Sequence, residues 1–240
     1  MGLRDELNSN VDVILSERWE TREGRAVPEI ETVALKGEIV KLNATMLYSD
    51  LADSTALASH SREIASRVYK CFLSCTSKVI TDGGGSIRSF DGDRVMAVFV
   101  GEYKNTSAAK VALKINWMFL NIIKPKLTAK YGVFRNGTFS LAQCVGIDTS
   151  EVTVIRAGIR ASNDLVWVGR APNFAAKLSS IRNSPYHSYI TEEVFNVLAP
   201  AGKIGGTNNQ QMWERRENKT DLPGNHVFYR SHWMRHVDLD

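Results

Sequence analysis

No apolar run in the chain approaches the roughly 20 residues that a membrane-spanning helix needs, so a helical membrane protein is not expected. Cysteine is scarce, three in 240 residues, which excludes a disulfide-stapled scaffold and suits a reducing compartment. Cys71 and Cys75 stand four apart on a helical pattern, but no Cys or His pair of matching spacing completes a zinc site. They read as core packing, the usual fate of a free thiol. Charge of one sign is short as well: 30 Lys and Arg against 26 Asp and Glu leave +4. That is too little to call for a nucleic acid, though it suits a small polyanion. The opening "MGLRDELNSN" lacks the basic-then-apolar order of a secretory leader and the Ser or Thr a myristoylation signal places at position 6. The expectation is a cytoplasmic protein with no membrane partner. What is present is ordinary for a soluble globular chain: 43% hydrophobic and 23% charged residues, no repeat and no low-complexity tract.

Residues 1–40 are polar and read as an N-terminal arm with a short helix around Val11 to Trp19. Residues 41–240 read as one domain. A strand covers 44–50. A helix follows, with Ile64, Val68, Phe72, Cys75 and Val79 at helical spacing, ended by "DGGG". "SIRSF" and "RVMAVFV" flank "DGD", a hairpin signal. Ala108, Val111, Ile115, Met118 and Ile122 mark a second helix, bounded by Pro125. "FSLAQCVGI" and "VTVIRAGI" flank "DTSE" and predict another hairpin. "LVWVG" is a short strand, and "RAPNFAAKLSSI" a helix with Pro172 in its first turn. "QMWERR" and "HVFYRSHWM" read as edge strands. The order predicts an α+β fold: a ferredoxin-like βαββαβ sheet with helices on one face and additional strands.

The chemistry gathers where the first strand ends, in "YSDLADST". Asp53 or Ser54 can cap the following helix, which leaves Asp50 without a structural reason. Asp93 lies just past the Asp-Gly turn, and in a sheet where these strands are neighbours the two carboxylates can meet at one edge. Close carboxylates must raise a pKa or share a cation. Magnesium prefers such oxygen ligands together with substrate phosphates, and the helix opened by Ala52, Asp53, Ser54 and Thr55 offers free N–H groups to phosphate. These features together suit a two-metal triphosphate site. Asn173 and Lys177, four apart on one helical face, suit a sugar and a developing phosphate charge. From their spacing alone a solvated helix surface is the preferred reading.

The motifs "YSDLADST", "GGSIRSFDGDRVMAVF" and "GRAPNFAAKL", in this order between about residues 44 and 200, resemble the class III nucleotidyl cyclase catalytic domain. The resemblance implies that Asp50, Asp93 and the Leu51 carbonyl hold two Mg2+ or Mn2+ ions per site. It implies that Asn173 orients the ribose and that Lys177 takes the place of the family's transition-state arginine, keeping the charge without the bidentate fork. It also implies a homodimer with shared sites, the aspartates from one chain and the Asn173 helix from the other.

Two positions depart from the purine-specific pattern. Ser89 stands where such enzymes carry a base-reading lysine, and Val166 where they carry an Asp, Thr or Ser. A pocket built to hydrogen-bond one base rejects another. The chain thus resembles the single-domain pyrimidine cyclases of Pycsar antiphage defence, and the expectation is a uridylate cyclase making 3′,5′-cyclic UMP and pyrophosphate from UTP. The alternatives are a cytidylate or adenylate cyclase and an inactive nucleotide-binding module. Tyr48, Arg88 and Arg94 are base-reading candidates by location, with packing or surface charge as the other reading of each. "WERRENK" and "FYRSHWMRH" interleave Arg with aromatics as RNA-binding surfaces do; a charged edge hairpin explains them more simply, and no nucleic-acid partner is expected.

Overall fold

The computed structural model describes residues 2–218 and 226–239; Lys219, which closes "WERRENK", lies outside them. In chain order, α1 (Leu3–Ser16) and β1 (Glu20–Glu23) precede the long strand β2 (Glu38–Leu51). Next come α2 (Ser54–His60), α3 (Arg62–Asp82), β3 (Ser86–Asp91), β4 (Arg94–Phe99) and α4 (Lys104–Met118). A π-helical turn, Phe119–Ile123, leads into α5 (Lys124–Lys130) and α6 (Gly132–Arg135). The site-bearing elements β5 (Gln143–Ile159), β6 (Ser162–Val168), α7 (Arg170–Ser179) and β7 (Ser188–Thr191) follow. The chain closes with α8 (Glu192–Asn196), α9 (Pro200–Lys203), β8 (Ile204–Gly205), β9 (Gln210–Gln211), β10 (Glu214–Asn218) and β11 (His226–Ser231).

The main sheet runs β10-β11-β7-β5-β2-β4-β3, with β1 parallel on β2 and β6 antiparallel on β5. Its centre, β5-β2-β4-β3, is the expected ferredoxin-like arrangement with strands added. β2 explains the layering. Met46 and Leu47 are consecutive and therefore point to opposite faces, and both are fully buried. Leu47 packs with Phe72 of α3 and Val111 and Ile115 of α4. Met46 packs with Met96, Val152 and the α7 residues Ala171 and Ala175. Helices thus cover both faces, not one. The short side chains along α7 let its backbone settle onto β5, so closely that a Cβ on Gly146 would stand 2.2 Å from the Ala175 carbonyl.

Several boundaries differ from the sequence reading. "DTSE" makes no turn, because its residues continue β5 in unbroken register with β2, Thr149 opposite Thr45 and Glu151 opposite Asn43. The hairpin falls later, between β5 and β6 at Ile159 and Ser162. Pro125 does not end a helix: the π turn shifts the hydrogen-bond ladder before it, and α5 carries the proline in its first turn, where no N–H is needed. β2 starts at Glu38 because the arm supplies β1 as a partner. The first helix is Leu3–Ser16 rather than Val11 to Trp19, fixed at its start by the Gly2 N–H donating to Asp5 Oδ2 at 3.2 Å. Cys71 is exposed, against the core-packing expectation, while half-buried Cys75 packs against the core and Cys144 lies within it. Of the last two strands, β10 is the edge and β11 lies inside it, paired with β7. Among the described residues no helix is long and apolar enough to cross a membrane.

Candidate active site

Asp50 is the penultimate residue of β2, a central strand of the sheet, opposite Cys144, and is only 6% exposed. Two guanidiniums hold the same oxygen. Arg94 Nη2 and Arg182 Nη2 each donate to Asp50 Oδ2 at 3.0 Å. Arg94 begins β4 and also donates to Ser180 Oγ at 3.2 Å, just past the end of α7. Burial works against its charge, but the Asp50 hydrogen bond and the fields of Asp50, Asp91 and Asp93 outweigh it, so its pKa stands above the ordinary value. Arg182 lies in the segment after α7. Its Nη2 also reaches the Leu51 carbonyl at 3.2 Å, and its Nη1 donates to the Ser179 carbonyl at 2.7 Å.

Asp93 occupies the two-residue loop between β3 and β4, after Gly92 at φ +60, a left-handed position that favours glycine. Its Oδ2 is buried and has no hydrogen-bond partner among the described residues. A buried carboxylate oxygen without a donor calls for a cation. With Asp50 and the Leu51 carbonyl, the donor set is all oxygen, the chemistry magnesium and manganese prefer. Among the described residues no three His, Cys, Asp or Glu side chains form a ready-made cage, so further ligands would come from a phosphate-bearing substrate. The residues fit a metal-dependent nucleotide site.

The turn between β2 and α2 departs from the capping expectation. Asp53 takes the left-handed region at φ +54, and its side chain makes no cap bond to α2. The Ala52 N–H is engaged by the Ala142 carbonyl at 2.9 Å. Tyr69 of α3 fixes the turn by donating from its hydroxyl to the Ser54 carbonyl at 2.9 Å, and the Thr55 carbonyl accepts from Ser59 within α2.

The base-reading candidates separate. Tyr48 lies half-buried on β2, its hydroxyl donating to Met96 Sδ at 2.8 Å, and burial raises its pKa, which keeps the phenol neutral. Arg88 sits at the bulge between Ile87 and Ser89, which aims its side chain at the arm. There its Nη1 donates to the Pro28 carbonyl at 2.9 Å and its Nη2 pairs with Glu29 at 3.6 Å; that is a structural tether. Arg94 belongs to Asp50. Ser89 on β3 and Val166 on β6 are both exposed.

Asn173 and Lys177 are exposed along α7. Asn173 Nδ2 donates to the Gly169 carbonyl at 3.1 Å, and among the described residues Lys177 forms no ion pair. The structure therefore joins Asp50 and Leu51 through Arg182 and brings Arg94 to Asp50. It leaves Asn173, Lys177 and Val166 facing solvent. The start of α7 is fixed by a network the sequence reading missed. Fully buried Asp148 accepts from Arg170 Nε and Nη2, both at 3.1 Å, and from Thr191 Oγ1 at 2.5 Å. Burial raises the Asp148 carboxyl above its usual pKa, against the opposing pull of Thr191 and Arg170. Beside Asp50, burial pushes the Cys144 thiol up to about 12, so it is no nucleophile. No local pattern marks Arg182 or Asp148; only the fold brings them to the site.

No family model matches the chain. Among curated proteins it is 41% identical to a uridylate cyclase of Xanthomonas perforans over 99% of its length and 100% of that protein. It is 44% identical to a uridylate cyclase of Burkholderia cepacia, over 89% of this chain and 91% of that one. Among solved structures it resembles the adenylyl cyclase CyaB of P. aeruginosa, with TM-score 0.66 at 20% identity, covering 85% of this chain and 100% of that one. The guanylate cyclase domain of RhGC from Catenaria anguillulae, in complex with GTP, gives TM-score 0.63 at 15% identity over 81% of this chain and 99% of that one.

Proposed function

The chain belongs to the class III nucleotidyl cyclases, in the group of the bacterial uridylate cyclases, and we propose that its substrate is UTP and its products 3′,5′-cyclic UMP and pyrophosphate. The observation that carries this reading is the full-length likeness to the uridylate cyclase of Xanthomonas perforans, taken with Ser89 and Val166 at the two positions where purine cyclases read their base.

In the reaction the ribose 3′-hydroxyl attacks the α-phosphorus and pyrophosphate departs. Asp50, Asp93 and the Leu51 carbonyl would hold Mg2+ or Mn2+, two ions per site, which supply charge neutralisation on the triphosphate and acidify the attacking hydroxyl. Asn173 orients the ribose. Lys177 places its charge on the α-phosphate as negative charge develops. Amides of Asp53, Ser54 and Thr55 receive the terminal phosphates, while Ala52 supports the turn through its bond to Ala142. Tyr48, near the Asp50 end of β2, is the remaining base contact of the original three, since Arg88 is tied to the arm and Arg94 to Asp50.

One chain does not bring Val166 to the Asp50 end of β2, which supports a homodimer with shared sites. Leu51 pairs with Gln143 and Val166 with Ile155, twelve residues further along β5. At about 3.3 Å per residue that is roughly 40 Å of strand, far beyond one nucleoside triphosphate. Val166 and Val168 are also 42% and 51% exposed, as an unpartnered interface would be. On this reading residues 41–240 form the catalytic domain, residues 1–40 buttress it, and the cyclic product serves as a second messenger in antiphage defence. Incubation with ATP, GTP, CTP and UTP plus Mn2+, followed by mass identification of the product, tests the assignment: cUMP in excess is expected. Dominant cCMP or cAMP would replace UTP with CTP or ATP, and no turnover of any triphosphate would favour an inactive nucleotide-binding module.

A further inference from the structure

Arg182 stands where a metal ion would be expected to stand. Its Nη2 lies 3.0 Å from Asp50 Oδ2 and 3.2 Å from the Leu51 carbonyl oxygen. Those are two of the oxygens the metal reading assigns as ligands, and one guanidinium nitrogen bridges both. Arg94 Nη2 already holds the same Asp50 oxygen. A carboxylate that carries two guanidiniums cannot also take a divalent ion at full strength, because like charges a few ångströms apart repel.

The two arginines are not equally placed to leave. Arg94 is built into β4, where burial and the neighbouring aspartates fix it. Arg182 lies outside any helix or strand, its side chain is 35% exposed, and it borders a cavity of about 240 Å³. That cavity is also lined by Asp53, Lys124, Ser140, Asn183 and His187. It adjoins the β2–α2 turn, holds a second cation in Lys124, and its histidine is disfavoured as a cation, first by burial.

We propose that Arg182 and a divalent cation compete for Asp50 and the Leu51 carbonyl, and that the displaced guanidinium turns toward this cavity and binds the terminal phosphates of the substrate. The inference rests on the metal reading above. One residue then opposes the bare metal and favours the metal–triphosphate pair, so the ion enters with its nucleotide and not ahead of it. The exchange has no net loss of ion pairing: the carboxylate trades a guanidinium for a metal, and the guanidinium trades a carboxylate for a phosphate, its best bidentate partner.

The test is Mn2+ binding to the intact, nucleotide-free protein, read by the electron paramagnetic resonance signal of free Mn2+. It is repeated with the Mn2+ complex of inorganic tripolyphosphate, read by calorimetry. Arg182→Gln is expected to bind bare Mn2+ about tenfold more tightly than the parent chain and Mn2+–tripolyphosphate about tenfold more weakly, that is, about 1.4 kcal/mol in opposite directions. Arg182→Lys keeps the charge but has no second nitrogen to stay on the Ser179 carbonyl while the first reaches Asp50 and Leu51, so it too is expected to tighten bare Mn2+, several-fold. A simple field effect would leave the lysine variant at the parent affinity, and that result would overturn the competition; the lysine variant also serves if the glutamine variant does not fold. Asp50→Asn separates the two layers of inference. If it abolishes Mn2+ binding while neither Arg182 variant tightens it, the competition is wrong and the metal site stands. If it leaves Mn2+ binding unchanged, the metal reading itself fails, and the competition with it.

Discussion

Replacing Arg170 by Met tests how α7 is held. Asp148 is fully buried, and Arg170 grips both of its oxygens at 3.1 Å while its Nη2 also donates to the Thr149 carbonyl at 2.9 Å. Removing one partner of a buried pair leaves an uncompensated charge and costs about 3–5 kcal/mol. The Arg170 side chain is 34% exposed, so water can take over part of its role, and the lower end, about 3 kcal/mol, is the appropriate figure. The second pair of Arg170, with partly exposed Glu193, adds little. For a domain of this size each kcal/mol moves Tm by about 2–4 °C, so a drop of roughly 6–12 °C is expected. The sign with pH follows from Asp148. A carboxyl whose folded-state pKa lies above its unfolded value favours folding when protonated, and that contribution is lost as pH rises through the two values. Burial already sets Asp148 in this direction, and loss of the Arg170 charge drives it further. The penalty should therefore be larger at pH 8 than at pH 5, where protonation relieves the buried charge. Circular dichroism melts of both proteins at the two pH values decide the matter. An unchanged Tm at pH 8, or an equal loss at both, would refute the reasoning. Because α7 begins at Arg170, the variant should also lose cyclase activity below its melting range.

Three further outcomes are expected. Asp50→Ala and Asp93→Ala should each abolish cyclisation; Asp93→Ala, in a two-residue loop, should keep Tm within a few degrees of the parent, while Asp50→Ala, which strips the partner from two guanidiniums, should lower Tm as Arg170→Met does yet leave a folded protein at assay temperature; full activity in either would end the metal assignment. Mixing Asp50→Ala chains with Asn173→Ala chains should restore activity, because one of the two sites in the mixed dimer is intact; demonstrated exchange without recovery would sink the shared-site reading. Ser89→Lys combined with Val166→Asp should lower UTP turnover more than ATP turnover in steady-state assays, without creating full purine activity; an unchanged ratio would remove these positions from base selection.

The elements with a strong period were legible in the sequence. The stripe of α3, the Asp-Gly hairpin and the helix "RAPNFAAKLSSI" carry apolar spacing or turn chemistry that local rules read directly. The β5 error has a physical source. "DTSE" is composed like a turn, yet Thr149 and Asp148 are buried or half-buried because β2 and α7 flank them, and tertiary pairing overrides composition. Pro125 misled for a related reason, since a π turn upstream makes the proline harmless. Of the candidate site, Asp50 and Asp93 stand out in the sequence because local rules supply no reason for a carboxylate at a strand end. Arg182 does not: its partner is 132 positions away in sequence, and only the crossover from α7 to β7 closes that distance.

The roughly 40 Å of β5 between the Leu51 and Val166 registers has a consequence for how the enzyme's output scales in a cell. If a chain cannot complete its own site, a complete site exists only where two chains have met. Below the dissociation constant of the dimer, the number of such sites grows with the square of chain concentration. Halving the amount of protein would then cut product formation about fourfold, and a modest burst of synthesis would raise it steeply. The rate of expression could act as the throttle, with the length of one strand setting the exponent.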